Sequence, residues 1–330
     1  MTLQPRSILR IAIPVIAIGL IGAIQVRYFD RGFIPGDAFT YLAAGERLSA
    51  GHLLYAISPG DRPVGIKPPY WTVPLLSPPP IAVVFRVFAL FGDAGAYIWW
   101  AICIAIVVAT CLTLLRREPT MIGLAMLVLA IPLVYEIGVG NLNAVVLGGL
   151  TLAWYLMAHR RDQASGAVIA VVTALKVTPG ILAWWLITQR RWSALRGFIV
   201  AGIACLVVSV AGAGLSAHFE YLSIVGRTSA IGTSDLSLAG LGRAVGLPAS
   251  QATFLPPIAL LAGTALVALL WRRPSAAWAV AVTTMVLGSP VVNVNWFTLL
   301  LAALAPLAWP MPQPEQPEPT PMATGVAAWP

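Results

Sequence analysis

The chain has 330 residues, 59% of them hydrophobic and only 10% charged, with a formal net charge of +8 and a mean hydropathy of +0.86. A soluble domain of this length carries far more charge, so the composition points to an all-α membrane protein that crosses the bilayer many times. The positive balance does not indicate nucleic acid, because the arginines come in short pairs between apolar runs, as topology signals do.

The first apolar run, 8–26, follows Arg6 and Arg10 and lacks a small-x-small cleavage site before "QVRYFDRG", so it reads as an uncleaved first span. Next comes "GDAFTYLAAGERL", which predicts a helix over about 38–49 capped by Asp37 and ended by Gly51, with Phe39, Leu42, Ala43 and Leu48 on its apolar side. Such a helix is expected to lie flat on the outer leaflet and hold Asp37 at the mouth of the bundle. An aspartate there suits removal of a proton from a substrate hydroxyl; a plain helix cap accounts for it equally well.

Residues 68–91, apolar but studded with proline, predict a second short interfacial helix, with Tyr70, Trp71 and Arg86 at interface depth. Beyond it, apolar segments at 96–115, 121–137, 143–158, 164–176, 178–188, 197–213, 254–271, 275–290 and 296–309 raise the expected number of crossings to about ten. Several are shorter than the ~20 residues of a straight span. One break is explicit: in "ALKVTPGILAWW", Lys176 ends one half and Pro179 opens the next.

Alternation of these segments places Arg6/Arg10, Arg116/Arg117, Arg160/Arg161, Arg190/Arg191 with Arg196, and Arg272/Arg273 on one side, the cytoplasmic one, with both termini. The other side receives residues 27–95, the turn 138–143, the break 176–179, residues 214–252 and the turn 289–295. The expected organisation is one transmembrane domain over 1–309, with external loops at 27–95 and 214–252, and a Pro-rich tail over 310–330 expected to be disordered.

Several further residues are candidates. A charge inside a span is costly and marks function by default, so Lys176 suits a phosphate anion, against the plain reading of a lysine reaching the interface. Arg227 and Arg243 run against the cytoplasmic bias and suit an anionic head group, with solvation as the bland alternative; Arg62, Lys67 and Arg86 are weaker members of that set. "SDLSLAGLGR" predicts a capped short helix with Arg243 near its end. Tyr41, Asn141, Asn143 and Asn295 are candidates for sugar or acceptor contact, though turn chemistry alone explains the asparagines, Asn293 included. The three cysteines, Cys103, Cys111 and Cys205, read as small buried residues. No metal-ligand cluster, paired-carboxylate site or phosphate-binding glycine loop occurs, so neither metal nor cofactor is expected.

Set in order, "GDAFTYLAAGERLSAGHLLY", "KPPYWTVPLLSPP", "GVGNLNAVVLGGLTLAWYL", "SGAVIAVVTALKVTPGILAWWLITQRRWSAL", "TSDLSLAGLGR" and "GSPVVNVNW" resemble the membrane glycosyltransferases of family 87 from residue 36 to 297. The resemblance implies a GT-C architecture in the plasma (inner) membrane with an external active site. It implies transfer of a sugar, mannose in known members, from a polyprenyl-phosphate donor to a glycolipid or polysaccharide acceptor with inversion. It also implies roles: Asp37 as base, and Lys176, Arg243 and Arg227 on the leaving phosphate. Two departures stand out: Val139-Gly140 replaces the family's Gln before Asn141, and the late turn has Asn295 but neither of the usual histidines.

Other function classes fit less well. A transporter or lipid flippase would show paired broken helices and related halves, whereas one break and no repeat are found. A membrane acyltransferase of the histidine-dependent kind lacks its intramembrane histidine. A catalytically inactive relative acting as an assembly partner is kept open by the absent late-turn histidine.

Overall fold

The computed structural model describes residues 5–29, 34–56, 75–228 and 236–311. Arg62, Lys67, Tyr70, Trp71 and nearly all of the 310–330 tail lie outside them, as do the side chains of Arg6 and Arg227. Every regular element among the described residues is helical.

The chain begins with α1 (Pro5–Phe29), α2 (Gly36–Ser49), α3 (Pro79–Ala89) and α4 (Asp93–Arg117). A bent pair follows, α5 (Pro119–Val128) and α6 (Ala130–Val139), and then the hairpin of α7 (Asn143–Ala158) and α8 (Asp162–Leu175). A 3-10 turn (Thr178–Gly180) leads into α9 (Ile181–Thr188), which is followed by the long α10 (Trp192–Thr228). The C-terminal part comprises α11 (Leu238–Ala244), α12 (Ala249–Ala252), α13 (Leu255–Leu269), α14 (Pro274–Leu287), a 3-10 helix (Val294–Leu304) and α15 (Ala305–Ala308).

All ten apolar segments are helical, but they are not ten equal spans. Among the described residues, four helices are long and apolar enough to cross a membrane by themselves, and a fifth span is reached if the α5–α6 pair, bent by 73° about Leu129, is taken as one. The remaining apolar helices have 10–17 residues. One further expectation is corrected: the segment expected as one span over 121–137 is this bent pair. The span expected to end at 213 does break there, at Gly214, whose φ of 78° interrupts α10, and a second helical stretch follows to Thr228. Glycine alone adopts that geometry without strain.

Two aromatic clusters organise the interior. In one, Trp154, Trp185 and Trp278 pack with ring centroids 5.1–6.0 Å apart. Each indole N–H donates to a backbone carbonyl, of Trp309, Pro274 and Ala302 respectively. This nucleus joins α7, α9, α14 and the C-terminal segment without leaving a buried donor unpaired. In the other, Phe85 lies 5.0 Å from Trp99 and 5.4 Å from Tyr41, joining α3 to α4 and α2.

Helix α2 is held on more than its apolar side. Its buried residues Ala38, Phe39, Tyr41, Leu42, Ala44, Gly45 and Arg47 occupy well over one side. It packs on α3 at Gly45, where a Cβ would lie 2.5 Å from the Phe85 carbonyl carbon. It also makes ring contacts, Phe39 with Tyr97 of α4 and Tyr41 with Phe85 of α3. Its end matches expectation: Gly51 takes a φ of +72° and the His52 N–H closes back onto the Arg47 carbonyl at 2.9 Å.

Candidate active site

The turn between α6 and α7 is the centre of the site. α6 ends at Gly140 in the left-handed conformation (φ 68°). A Cβ there would lie 3.2 Å from the Ala38 Cβ and 3.3 Å from the Trp100 ring, so glycine is required twice over. The last carbonyls of α6 have no partner within the helix. α4 supplies two: Trp99 Nε1 donates to the Gly140 carbonyl at 2.9 Å and Trp100 Nε1 to the Ile137 carbonyl at 2.6 Å.

On this turn the side chains form a chain of hydrogen bonds. Asn141 Nδ2 donates to Asp37 Oδ2 at 2.6 Å. Asn141 Oδ1 accepts from the Asn143 backbone N–H at 2.9 Å. Asn143 Oδ1 in turn accepts from Lys176 Nζ. The ammonium also sits over the Trp296 ring, 3.4 Å from its centroid. A carboxylate and a cation, far apart in sequence, are thus joined through two asparagines.

Asp37 does not cap its helix. The cap position is Pro35, with no side-chain cap bond, and Asp37 lies in the first turn with its carboxylate turned to Asn141. The turn reading of Asn141 holds as well, since its carbonyl oxygen closes a local loop onto Asn143. Burial pushes the Asp37 carboxyl above its ordinary range, against the Asn141 hydrogen bond and the Lys176 charge, which pull it down. Burial, and then the neighbouring Asp37 charge, push the Tyr41 phenol well above its usual value, so it is a neutral hydroxyl. That hydroxyl lies 3.5 Å from the Leu142 N–H.

Sequence reasoning missed Glu136. It is fully buried near the end of α6, and both carboxylate oxygens are used. Oε1 accepts from the Ala144 N–H at 2.8 Å, and Oε2 accepts from Asn295 Nδ2 at 2.9 Å. The first bond is the shorter of two made by that N–H, which also donates to the Asn141 carbonyl at 3.3 Å in the first turn of α7. The second pins the 3-10 helix beginning at Val294, and with it Trp296. The signal was available: an acid inside the apolar run "IPLVYEIGV" has the same standing as Lys176.

The structure therefore brings together Asp37, Tyr41, Asn141, Asn143, Lys176 and Asn295, and adds Glu136 and Trp296. Glu136, Asn143 and Asn295 form a buried floor; Asp37, Asn141, Lys176 and Trp296 are half-buried above it. Four helical segments begin here: α2, α7, the Thr178–Thr188 segment and the Val294–Ala308 segment. α6 and α8 end here as well, at Gly140 and Lys176. Arg243 is not part of the Asp37–Lys176 chain of bonds. It is half-buried in the last turn of α11, a helix capped by Ser237, whose Oγ accepts from the Gly240 N–H. The Leu236 N–H ties the start of that segment to the Val292 carbonyl in the late turn at 2.8 Å. Among the described residues no group of three or more His, Cys, Asp or Glu side chains is placed to hold a metal. The cysteines are all free: Cys103 and Cys111 are buried and Cys205 is half-buried.

Compared with known families, residues 76–290 match the family described as glycosyltransferase family 87. That span includes the α6–α7 turn, Glu136 and Lys176, while Asp37 precedes it and Asn295 follows it. No curated protein and no solved structure matches the chain.

Proposed function

This chain belongs to glycosyltransferase family 87, and from that premise we propose that it moves a sugar, mannose by the family resemblance, from a polyprenyl-phosphate donor to a hydroxyl of a glycolipid or glycan acceptor. The reaction takes place on the external face of the plasma membrane, in a GT-C-like bundle whose shorter apolar helices complete about ten crossings. Both termini lie in the cytoplasm.

The observation that carries this reading is the Asp37–Asn141–Asn143–Lys176 chain, which holds a base and a cation at the two ends of one hydrogen-bonded bridge. Asp37 Oδ2 is held by Asn141, which leaves Oδ1 to take the proton of the acceptor hydroxyl. A carboxylate with a raised pKa is a better base than an ordinary one. The acceptor oxygen attacks the anomeric carbon from the face opposite the phosphate. The bond from that carbon to the phosphate oxygen breaks with its electron pair, and the configuration inverts.

Negative charge then builds on the polyprenyl phosphate. Lys176, with Arg243 and Arg227 from the second external loop, supplies the stabilisation. Tyr41, Asn141 and Asn295 are placed for sugar or acceptor hydroxyls. The site fits this chemistry without a histidine, because the position in the late turn is taken by the Asn295–Glu136 bond.

The test is transfer in proteoliposomes loaded with polyprenyl-phosphate mannose and a mixed glycolipid acceptor pool. Wild type is expected to transfer, and Asp37→Asn, folded to the same extent, is expected to lose transfer. Equal transfer by both would overturn the role of Asp37. Failure of both with every polyprenyl-phosphate sugar offered would favour the inactive assembly-partner reading.

A further inference from the structure

One buried donor in the site has no partner. Asn143 is fully buried, and its Nδ2 makes no hydrogen bond. Buried amide donors are almost always satisfied, and one left unpaired is destabilising. The orientation of the amide is not arbitrary. Lys176 can only donate, so the oxygen must face it and the NH2 group must face away.

The side-chain oxygens that flank Asn143 already accept a bond, and the one left open, Asp37 Oδ1, belongs to the far end of the chain of bonds. Glu136 spends one oxygen on the Ala144 N–H and the other on Asn295. Asn141 Oδ1 accepts from the Asn143 backbone N–H. What remains beside Lys176 is donor capacity without a matching acceptor: the ammonium itself, whose only protein oxygen partner among these bonds is the neutral Asn143 amide, and the orphan NH2. A second unpartnered polar atom, Thr178 Oγ1, lies buried two residues beyond Lys176, at the start of the Thr178–Thr188 segment.

A set of donors without acceptors suits a ligand atom that carries lone pairs and no proton. A sugar hydroxyl fits poorly, because it brings a proton and the Asn143 oxygen is taken. A phosphate oxygen fits. We infer that Asn143 is a second donor to the leaving phosphate of the polyprenyl-phosphate substrate, acting beside Lys176, and is not a sugar contact. Lys176 rests on Asn143 and Trp296. On phosphate binding the ammonium turns to the phosphate and releases the Asn143 oxygen, and the freed amide rotates so that its NH2 donates to an adjacent phosphate oxygen. The neutral amide holds the lysine in place without neutralising it, as a carboxylate would.

This inference rests on the glycosyltransferase reading above, and its test separates the two. The probes are farnesyl phosphate and, as the uncharged control, farnesol, titrated against the purified full-length protein in detergent. Wild type, Asn143→Leu, Asn143→Ala and Lys176→Gln are compared. Expected: wild type binds farnesyl phosphate; both Asn143 variants lose about tenfold or more in that affinity while farnesol binding is unchanged. In transfer assays their donor KM rises and acceptor KM does not. Wild type that fails to bind farnesyl phosphate would overturn the lipid-phosphate reading and this inference with it. Wild type that binds, with folded Asn143 variants binding equally well or with the change confined to acceptor KM, would overturn the inference alone. Should Asn143→Leu not fold, Asn143→Ala, which shortens the side chain without adding bulk, decides in the same way.

Discussion

The two ends of α7 are built on the same backbone geometry for opposite purposes. At its start, the reversal from α6 uses Gly140 in the left-handed region, and the space a Cβ would take is lined by Ala38 and Trp100. At its far end, the left-handed residue is Arg160 (φ 60°), and the corresponding reversal after α9 uses Arg190 (φ 55°). In both arginine turns the following N–H reaches back, Arg161 to the Leu156 carbonyl at 2.8 Å and Arg191 to the Leu186 carbonyl at 2.9 Å. These are helix ends where glycine is the usual choice. A side chain in that region costs roughly 1–2 kcal/mol. The site end removes the strain with glycine and fills the space with packing. The other end keeps the strain and gains an exposed positive charge, in one of the arginine pairs that separate the apolar runs. Shape governs one end and charge the other.

Substitutions at the two ends should therefore fail differently. The largest effect is expected at Asp37: Asp37→Asn should lower transfer by about 10²–10⁴-fold. Its melting temperature at neutral pH should hold or rise. The folded-state pKa of Asp37 is raised, so its contribution to stability is present below the unfolded pKa and is lost as pH rises through the folded one. The same direction fixes the acid limb of the pH profile. Transfer needs the carboxylate and should fall off at a pH above the ordinary aspartate range as the solution is acidified. A limb at or below that range would remove the link between burial and basicity.

Next is the floor. Glu136→Leu strands the Asn295 amide, at about 1–3 kcal/mol, and leaves the Ala144 N–H only its longer bond to the Asn141 carbonyl. A thermal melt should show a large drop, and Glu136→Gln a smaller one, because Asn295 can turn its oxygen to meet the new amide. Equal melts for both variants and wild type would show that Glu136 does not brace the site. Gly140→Ala should cost about 1–2 kcal/mol from φ alone, plus the crowding of Trp100, and should lower transfer by displacing Asn141. Smallest, and opposite in sign, are Arg160→Gly and Arg190→Gly. Relief of the strained φ outweighs the added freedom of the unfolded chain, so each should raise stability by a few tenths to about 1 kcal/mol. Transfer in detergent should be unaffected. A loss of transfer there would mean that the arginine end communicates with the site.

Asp37, Lys176 and the asparagines were legible as candidates because each is polar or charged in a chain where such residues are scarce, and all fall at breaks between apolar runs. Their division into roles was not. Asp37 looked like a helix cap because local sequence cannot register an asparagine 104 residues away that competes for the carboxylate. Glu136 was overlooked although it obeys the same rule as Lys176, since nothing adjacent in sequence breaks its helix. The bend at Leu129 escaped for a related reason: hydropathy measures apolar length and carries no information on direction.

By itself, the sequence determined the helical class, the ten apolar segments, the arginine-bearing ends and most of the polar residues that matter. These follow from what a low-dielectric environment demands of each stretch of chain, which is a local property. Only the tertiary structure decided that Asp37 faces Asn141, that Asn143 presents its oxygen to Lys176 and keeps an unpaired donor, and that Glu136 joins the start of α7 to the late turn. Hydrogen bonds act over about 3 Å, so their pairing depends on how four helix starts converge, and that convergence is set by packing across the whole bundle.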